Sequence, residues 1–347
     1  MARVHCRRPR RGNHGLPRPG TSLRRIENVM TSRPEKKPLA KLASRAVVSV
    51  GLITGFAGLA WADATGFLGG MPAWWLLPIL IILAIGGVDE LVALYAARGL
   101  RLPGGILRVG VVATFVAVAL GTQAFVAATG ETAPVAALSW AALAATAAAG
   151  LLFGREIIGG RASGRSLDRL AAGVLVLTYL GLPMAFLVGL RLVCVENLGP
   201  EQTGPGHLGI VPLLSMIAVV KLGDIVAYLV GASIGRIPMA PKLSPGKTWE
   251  GAVGSIAGAL LAAWLVLEQP FFGQRLPLQP FGGWVGYGLL VGTAGMAGDL
   301  AESLIKRELG AKDSGQLLGG LGGVLDLIDS LLFAAPVAWL MWVNAGA

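Results

Sequence analysis

The stretch ESLIKRELGAKDSGQLLGGLGGVLDLIDSLLFAAP, residues 302–336, sets Glu302, Lys306, Arg307, Glu308, Lys312, Asp313, Asp326 and Asp329 between two segments built of Leu, Ala, Gly and Val. Its charges lie at the adjoining ends of two apolar runs, 283–306 and 323–344. Each run is long enough to cross ~30 Å of hydrocarbon as a helix. The whole chain agrees with that reading. Hydrophobic residues make up 54% of its 347 and charged residues 14%, where a soluble domain carries about a quarter charged. Mean hydropathy is +0.68. Backbone groups in lipid must be bonded within a helix or a closed barrel, and runs of ~20 apolar residues select helices over the ten-residue alternation of barrel strands.

Nine such runs are predicted: about 46–64, 71–96, 104–126, 133–153, 169–194, 207–234, 249–268, 283–306 and 323–344. The expected fold is an all-α polytopic integral membrane protein. It divides into a basic tail (1–45), an N-terminal group of membrane helices (46–200) and a C-terminal membrane region (201–347) that gathers the charges of residues 302–336. Cytoplasmic connections carry the excess of Lys and Arg. Thirteen Lys/Arg precede the first run; connections 2–3, 4–5, 6–7 and 8–9 add three, four, three and three, giving 26. The alternate connections hold only Arg191 and Arg275, and Lys221 sits inside a run. The N-terminus and the two chemically rich connections, 6–7 and 8–9, are therefore expected on the cytoplasmic side of the cell membrane, where nucleotides and metal ions are available.

The formal charge of +10 is concentrated at the start: residues 1–29 hold eight Arg against Glu27 alone. An Arg/Pro/Gly composition of this kind reads as an unstructured extension rather than a nucleic-acid site. Met30 opens a shorter basic lead-in, so residues 1–29 are expected to be dispensable. Cys6, Cys194 and the three His form neither a disulfide framework nor a metal-ligand spacing.

Ionisable groups inside membrane runs need a partner or a function. Asp89 and Glu90 fall in the second run, Lys221 and Asp224 in the sixth, Asp299 and Glu302 in the eighth, Asp326 and Asp329 in the ninth. Helical spacing puts Asp299, Glu302, Ser303 and Lys306 on one face, and Asp326 with Asp329 on one face of the next helix. Carboxylates without Cys or His suit Mg²⁺, which shares its coordination sphere with water and phosphate. The arrangement fits metal-assisted phosphoryl or nucleotidyl transfer; a structural salt-bridge network and an ion-coupled transporter are the other readings it allows. Connection 6–7, APKLSPGKTWEG (240–251), is not a P-loop, because Pro241 stands where glycine is required. It offers Lys242, Ser244, Lys247 and Thr248 as phosphate donors in a loop. Gly254 and Gly258 form a GxxxG expected to serve helix packing.

These residues resemble the phosphatidate cytidylyltransferases, the CDP-diacylglycerol synthases. The family's signature runs roughly S-x-x-K-R-x4-K-D-x-[GSA]-x2-[LIF]-[PG]-x-H-G-G-x-x-D-R-x-D. Ser303, Lys306, Arg307, Lys312, Asp313, Gly315, Leu318, Gly319, Gly322, Gly323, Asp326 and Asp329 match it at that spacing. GDLAES (298–303), GDIVAYLVG (223–231) and SPGKTWEG (244–251) are similar to further stretches, and Glu90 looks like an acid kept in an early span. Two positions depart: Leu321 replaces the signature His and Leu327 the signature Arg.

The resemblance implies cytidylyl transfer from CTP to phosphatidate, giving CDP-diacylglycerol and pyrophosphate. A CTP-dependent lipid kinase of the dolichol kinase type is the alternative. Asp299, Lys306, Lys312, Asp313, Asp326 and Asp329 are then the expected catalytic residues. Asp224, Ser244, Lys247, Thr248 and Arg307 are the expected substrate contacts. Asp299 and Asp326 are the expected direct ligands of Mg²⁺, with Glu302 and Asp329 in support; a second cation stays open. The expected partners are CTP, phosphatidate and the bilayer, without nucleic acid; a homodimer stays open.

Overall fold

A computed structural model describes residues 74–129, 134–159, 164–193, 210–268, 282–311 and 323–345, with Gly55 and Gly58. The expected first span, 46–64, and the basic tail lie outside the described residues.

The described chain forms eight helices and one small hairpin. They are α1 (Leu76–Ala97), α2 (Gly104–Thr129), α3 (Pro134–Ile158), α4 (Ser166–Leu192), α5 (Ile210–Ile234), β1 (Pro238–Ala240), β2 (Ser244–Thr248), α6 (Trp249–Leu267), α7 (Gly283–Glu308) and α8 (Leu325–Ala345). Seven of the eight helices are long and apolar enough to cross a membrane, α7 being the exception. Helix α7 has the length but carries six glycines along with Asp299, Glu302, Lys306 and Arg307. The class is that of a polytopic helical membrane protein, and each predicted run from the second to the ninth is a helix.

Local chemistry sets the ends. Helix α1 stops where Gly99 takes φ 75° and the Arg98 and Leu100 amides fold back onto the Tyr95 carbonyl, a left-handed glycine stop that suits only a residue without Cβ. Helix α7 ends in the same way at Gly310, φ 73°, with the Ala311 amide donating to the Lys306 carbonyl. Within α4, Pro183 lacks an amide and its ring crowds the carbonyl four residues earlier. The helix widens there into a π turn over Leu177–Gly181.

Connection 6–7 is not the loop expected from sequence. It folds into an antiparallel hairpin pairing Pro238 with Thr248 and Ala240 with Ser244. Pro245 and Gly246 argue against a strand, yet a two-stranded ribbon has only edges, where a missing amide costs no ladder bond. Thr248 closes β2 and opens α6: its hydroxyl accepts from the Gly251 amide at 3.1 Å as an N-cap. Glu250 takes the Ile237 amide at 3.3 Å, tying the hairpin base to the helix start.

Helix α6 packs most closely on α5, and α7 on α8 and α6. The GxxxG behaves as predicted, since a Cβ at Gly254 or Gly258 would press into Val230 or Val226 of α5. At the end of the bundle away from the hairpin, Ser215, Tyr287 and Trp342 join α5, α7 and α8. Their hydroxyls lie 2.8 Å apart, and the indole donates to both at 3.2 and 3.3 Å.

Candidate active site

Helices α5, α6, α7 and α8 and the hairpin enclose a cavity of about 620 Å³. Among the described residues, its lining carries five carboxylates, Asp224, Asp299, Glu302, Asp326 and Asp329, and four cationic side chains, Lys221, Lys247, Lys306 and Arg307. Ser244 and Thr248 line it too. Among the described residues, every residue expected to be catalytic, metal-binding or substrate-binding faces this one space. Lys312, Asp313 and Leu321 lie outside the described residues.

Three of the acids converge. Asp299, Glu302 and Asp329 each offer an oxygen within 4.8 Å of the others. Two oxygens bound to one Mg²⁺ stand up to ~4.2 Å apart, twice the ~2.1 Å bond length, so a small closure would complete a shared ion. Glu302 is 2% exposed, and its Oε1 is buried with no hydrogen-bond partner. An ionised oxygen left bare in a low-dielectric interior is costly; a bound divalent cation would satisfy it. The donor set fits a hard cation.

The trio exists because α7 and α8 touch at a glycine. A Cβ at Gly298 would run into the Asp329 carbonyl, so only glycine lets the two acid-bearing turns meet. Asp329 also accepts from the Ser330 amide.

Asp326 stands apart from the trio. Its Oδ1 receives Lys306 Nζ at 2.6 Å, and its Oδ2 receives the Gly323 amide at 2.7 Å. Lys306 bridges from Asp326 to Glu302 Oε2 at 2.8 Å and is itself buried. Lys247 reaches across from β2 to Asp299 at 2.6 Å. Arg307 donates to the Leu243 carbonyl at 3.0 Å, fastening the end of α7 to the hairpin turn. On α5, Asp224 lies 3.4 Å from the Ser330 hydroxyl. The i, i+3 and i, i+4 spacings place the α7 acids on one face as expected, but the α8 residue that joins them is Asp329, one turn further into the helix.

Glu90 is a participant whose place the spacing did not define. From α1 its two carboxylate oxygens accept the Val324 and Leu325 amides at 2.7 and 3.0 Å, and it is 3% exposed. It holds the start of α8 and faces the positive end of that helix. A carboxylate in an apolar run and its likeness to an acid of the family's early spans were its signals, and neither named its partners, because the bond spans 234 positions. The other early acid, Asp89, pairs with Arg108 of α2 at 2.6 Å. Leu327 also differs from what the motif suggests. Its side chain is 38% exposed and does not line the cavity, while its carbonyl accepts from Lys221.

The chain is similar in sequence to known proteins. The chain matches the cytidylyltransferase family over residues 43–344. It is 44% identical over 130 residues to the Escherichia coli (strain K12) "Uncharacterized protein YnbB", covering 37% of this chain and 41% of that one. It is 41% identical over 141 residues to a phosphatidate cytidylyltransferase of Brucella abortus (strain 2308), 40% of this chain and 48% of that one. A phosphatidate cytidylyltransferase of Mycobacterium tuberculosis (strain ATCC 25618 / H37Rv) is 35% identical over 190 residues, 54% and 52% of the two chains. The matched stretches span about half the length of these relatives or less.

Proposed function

Since the chain belongs to the cytidylyltransferase family, we propose that it transfers the cytidylyl group of CTP to phosphatidate, with pyrophosphate as the second product. A phosphate oxygen of phosphatidate attacks the α-phosphorus of CTP, the α–β bridging bond breaks, and the β- and γ-phosphates leave as pyrophosphate. The observation that carries this reading is the convergence of Asp299, Glu302 and Asp329 in a cavity that also presents Lys247, Lys306 and Arg307.

Both reactants are polyanions, so rate comes from holding them in line and from positive charge fixed where negative charge accumulates. Asp299, Glu302 and Asp329 are the proposed Mg²⁺ ligands. A divalent ion there would withdraw charge from the phosphates. Lys306 holds Glu302 and Asp326 in position through its two contacts. Lys247, Ser244 and Arg307 face the triphosphate from the hairpin side, with Thr248 fixing the strand–helix junction beneath them. Lys312 and Asp313, in the connection between α7 and α8, are proposed to meet the leaving pyrophosphate.

The finer membrane picture belongs to the same proposal. The apolar runs support nine spans, and the Lys/Arg distribution supports a cytoplasmic N-terminus and a cytosol-facing cavity in the cell membrane. The bilayer is the second partner, since phosphatidate keeps its tails there; a homodimer is a matter for mass measurement in detergent.

The test is purified protein with phosphatidate, Mg²⁺ and CTP labelled at either the α- or the γ-phosphorus. Cytidylyl transfer places the α-label in the lipid product and makes that product dependent on Mg²⁺. Label from the γ-position alone would mean lipid kinase chemistry and would sink the proposal.

A further inference from the structure

Lys221 is a cation placed where a membrane helix should not carry one. It sits 13 residues before the hairpin end of α5 (Ile210–Ile234), roughly 20 Å along the axis at 1.5 Å per residue. Its side chain is 38% exposed and lines the cavity. An ionisable group at such depth faces an interior space and marks a ligand path.

The other cavity cations are committed at short range. Lys247 meets Asp299 at 2.6 Å, Lys306 meets Asp326 at 2.6 Å and Glu302 at 2.8 Å, and Arg307 donates to Leu243 at 3.0 Å. Among the described residues, Lys221 has no contact as short. It stands 3.3 Å from the Leu327 carbonyl, 3.4 Å from the Ser330 hydroxyl and 3.6 Å from Asp224. A pair serving only to neutralise itself in a low dielectric would close to contact, as its neighbours have. Lys221 is held by two neutral acceptors and, at the longest of the three distances, by Asp224, and its side chain lines the cavity.

The same stretch of α5 also shows which anion the site suits. Tyr228 lines the cavity yet is 75% exposed, and Ile225 and Leu229 beside it are 55% and 58% exposed. The cavity therefore opens sideways along an apolar helix face, while the hairpin with Lys247 and Arg307 closes another side. An anion carrying hydrocarbon tails can reach Lys221 with the tails still in lipid. A nucleotide arriving from water meets the hairpin cations first.

We propose that Lys221 binds the phosphomonoester of the acceptor lipid and so sets apart a lipid-phosphate subsite from the triphosphate subsite. This rests on the cytidylyltransferase reading for its kinetics but not for its binding. The experiment compares wild type, Lys221→Met and Lys221→Arg in nanodiscs, each checked for an unchanged melting profile. Binding of phosphatidate against diacylglycerol is measured without nucleotide, and KM is then measured for phosphatidate and CTP separately.

Loss of one charge-assisted phosphate contact predicts about tenfold or more weaker phosphatidate binding in Lys221→Met. Its KM for phosphatidate should rise to match, with KM for CTP unchanged and Lys221→Arg restoring most of the loss. An effect on CTP alone, equal effects on both substrates, no effect on either, or failure of Arg to rescue would each overturn the subsite. If wild type binds phosphatidate through Lys221 but forms no CDP-diacylglycerol, the transfer reading fails and the subsite stands.

Discussion

Lys306 and Asp329 separate two kinds of importance within one site. Lys306 is buried and answers two carboxylates, so replacing it strands Glu302 and Asp326 without their cation. Breaking a buried pair from one side costs about 3–5 kcal/mol. Lys306→Met is expected to lower the melting temperature by several degrees and to abolish turnover, as followed by thermal melting in detergent alongside the assay. Asp329→Asn should behave differently. It keeps the shape and removes one of three negative oxygens, so melting should hardly move while Mg²⁺-dependent turnover falls by about a hundredfold or more. Equal melting losses in the two variants would show that the trio is structural. Much of this was legible in the sequence. Helical spacing alone puts Asp299, Glu302 and Lys306 together, since that relation is local to α7. Which acid of α8 faces them was not legible, because Asp326 lies in the first turn of its helix. Its direction is set by the Gly323 amide and by Lys306, neither of which follows from an i, i+3 count.

At the scale of helices, the site depends on how closely two elements approach and where one begins. Gly298 allows α7 to lie against the Asp329 backbone. Gly298→Ala inserts one methyl into that contact, and overpacking of this kind costs about 1–3 kcal/mol. The acid trio should feel it first. The half-saturating Mg²⁺ concentration is expected to rise severalfold even where the protein still melts cooperatively, and an unchanged Mg²⁺ requirement would disconnect the packing from the site. Glu90 acts on the other end of the same relation by holding two amides at the start of α8. Glu90→Gln leaves one acceptor and turns an NH₂ group toward the second amide. About tenfold lower kcat, with KM for CTP little changed, is expected from a displaced Asp326–Asp329 turn. Hydropathy located both helices to within a few residues. It did not supply the Glu90 bond, whose partners lie at opposite ends of the chain, nor the hairpin, whose Pro245–Gly246 pair reads as a turn until its edge position is known.

For the molecule as a whole, the proposed chemistry requires the cavity to open toward the compartment that holds CTP. The hairpin rim, with Lys247 of β2 and Arg307 at the end of α7, therefore has to lie on the cytoplasmic side. The charge distribution predicts that side independently, with 26 Lys/Arg on the N-terminal tail and one set of connections and two on the other set. The chain contains only Cys6 and Cys194, so both can be replaced by Ser and single cysteines introduced at will. A cysteine at Gly246, in the hairpin, should resist a membrane-impermeant maleimide in intact cells and react once the membrane is permeabilised. A cysteine at Gln274, in the connection after α6, should react in intact cells. The two positions flank a single apolar helix, so the orientation forces their labelling to be opposite. The reverse pattern would put the acid-lined cavity on the side without CTP, and no rearrangement of Lys247, Asp299 or Asp329 within the site would rescue cytidylyl transfer from that position.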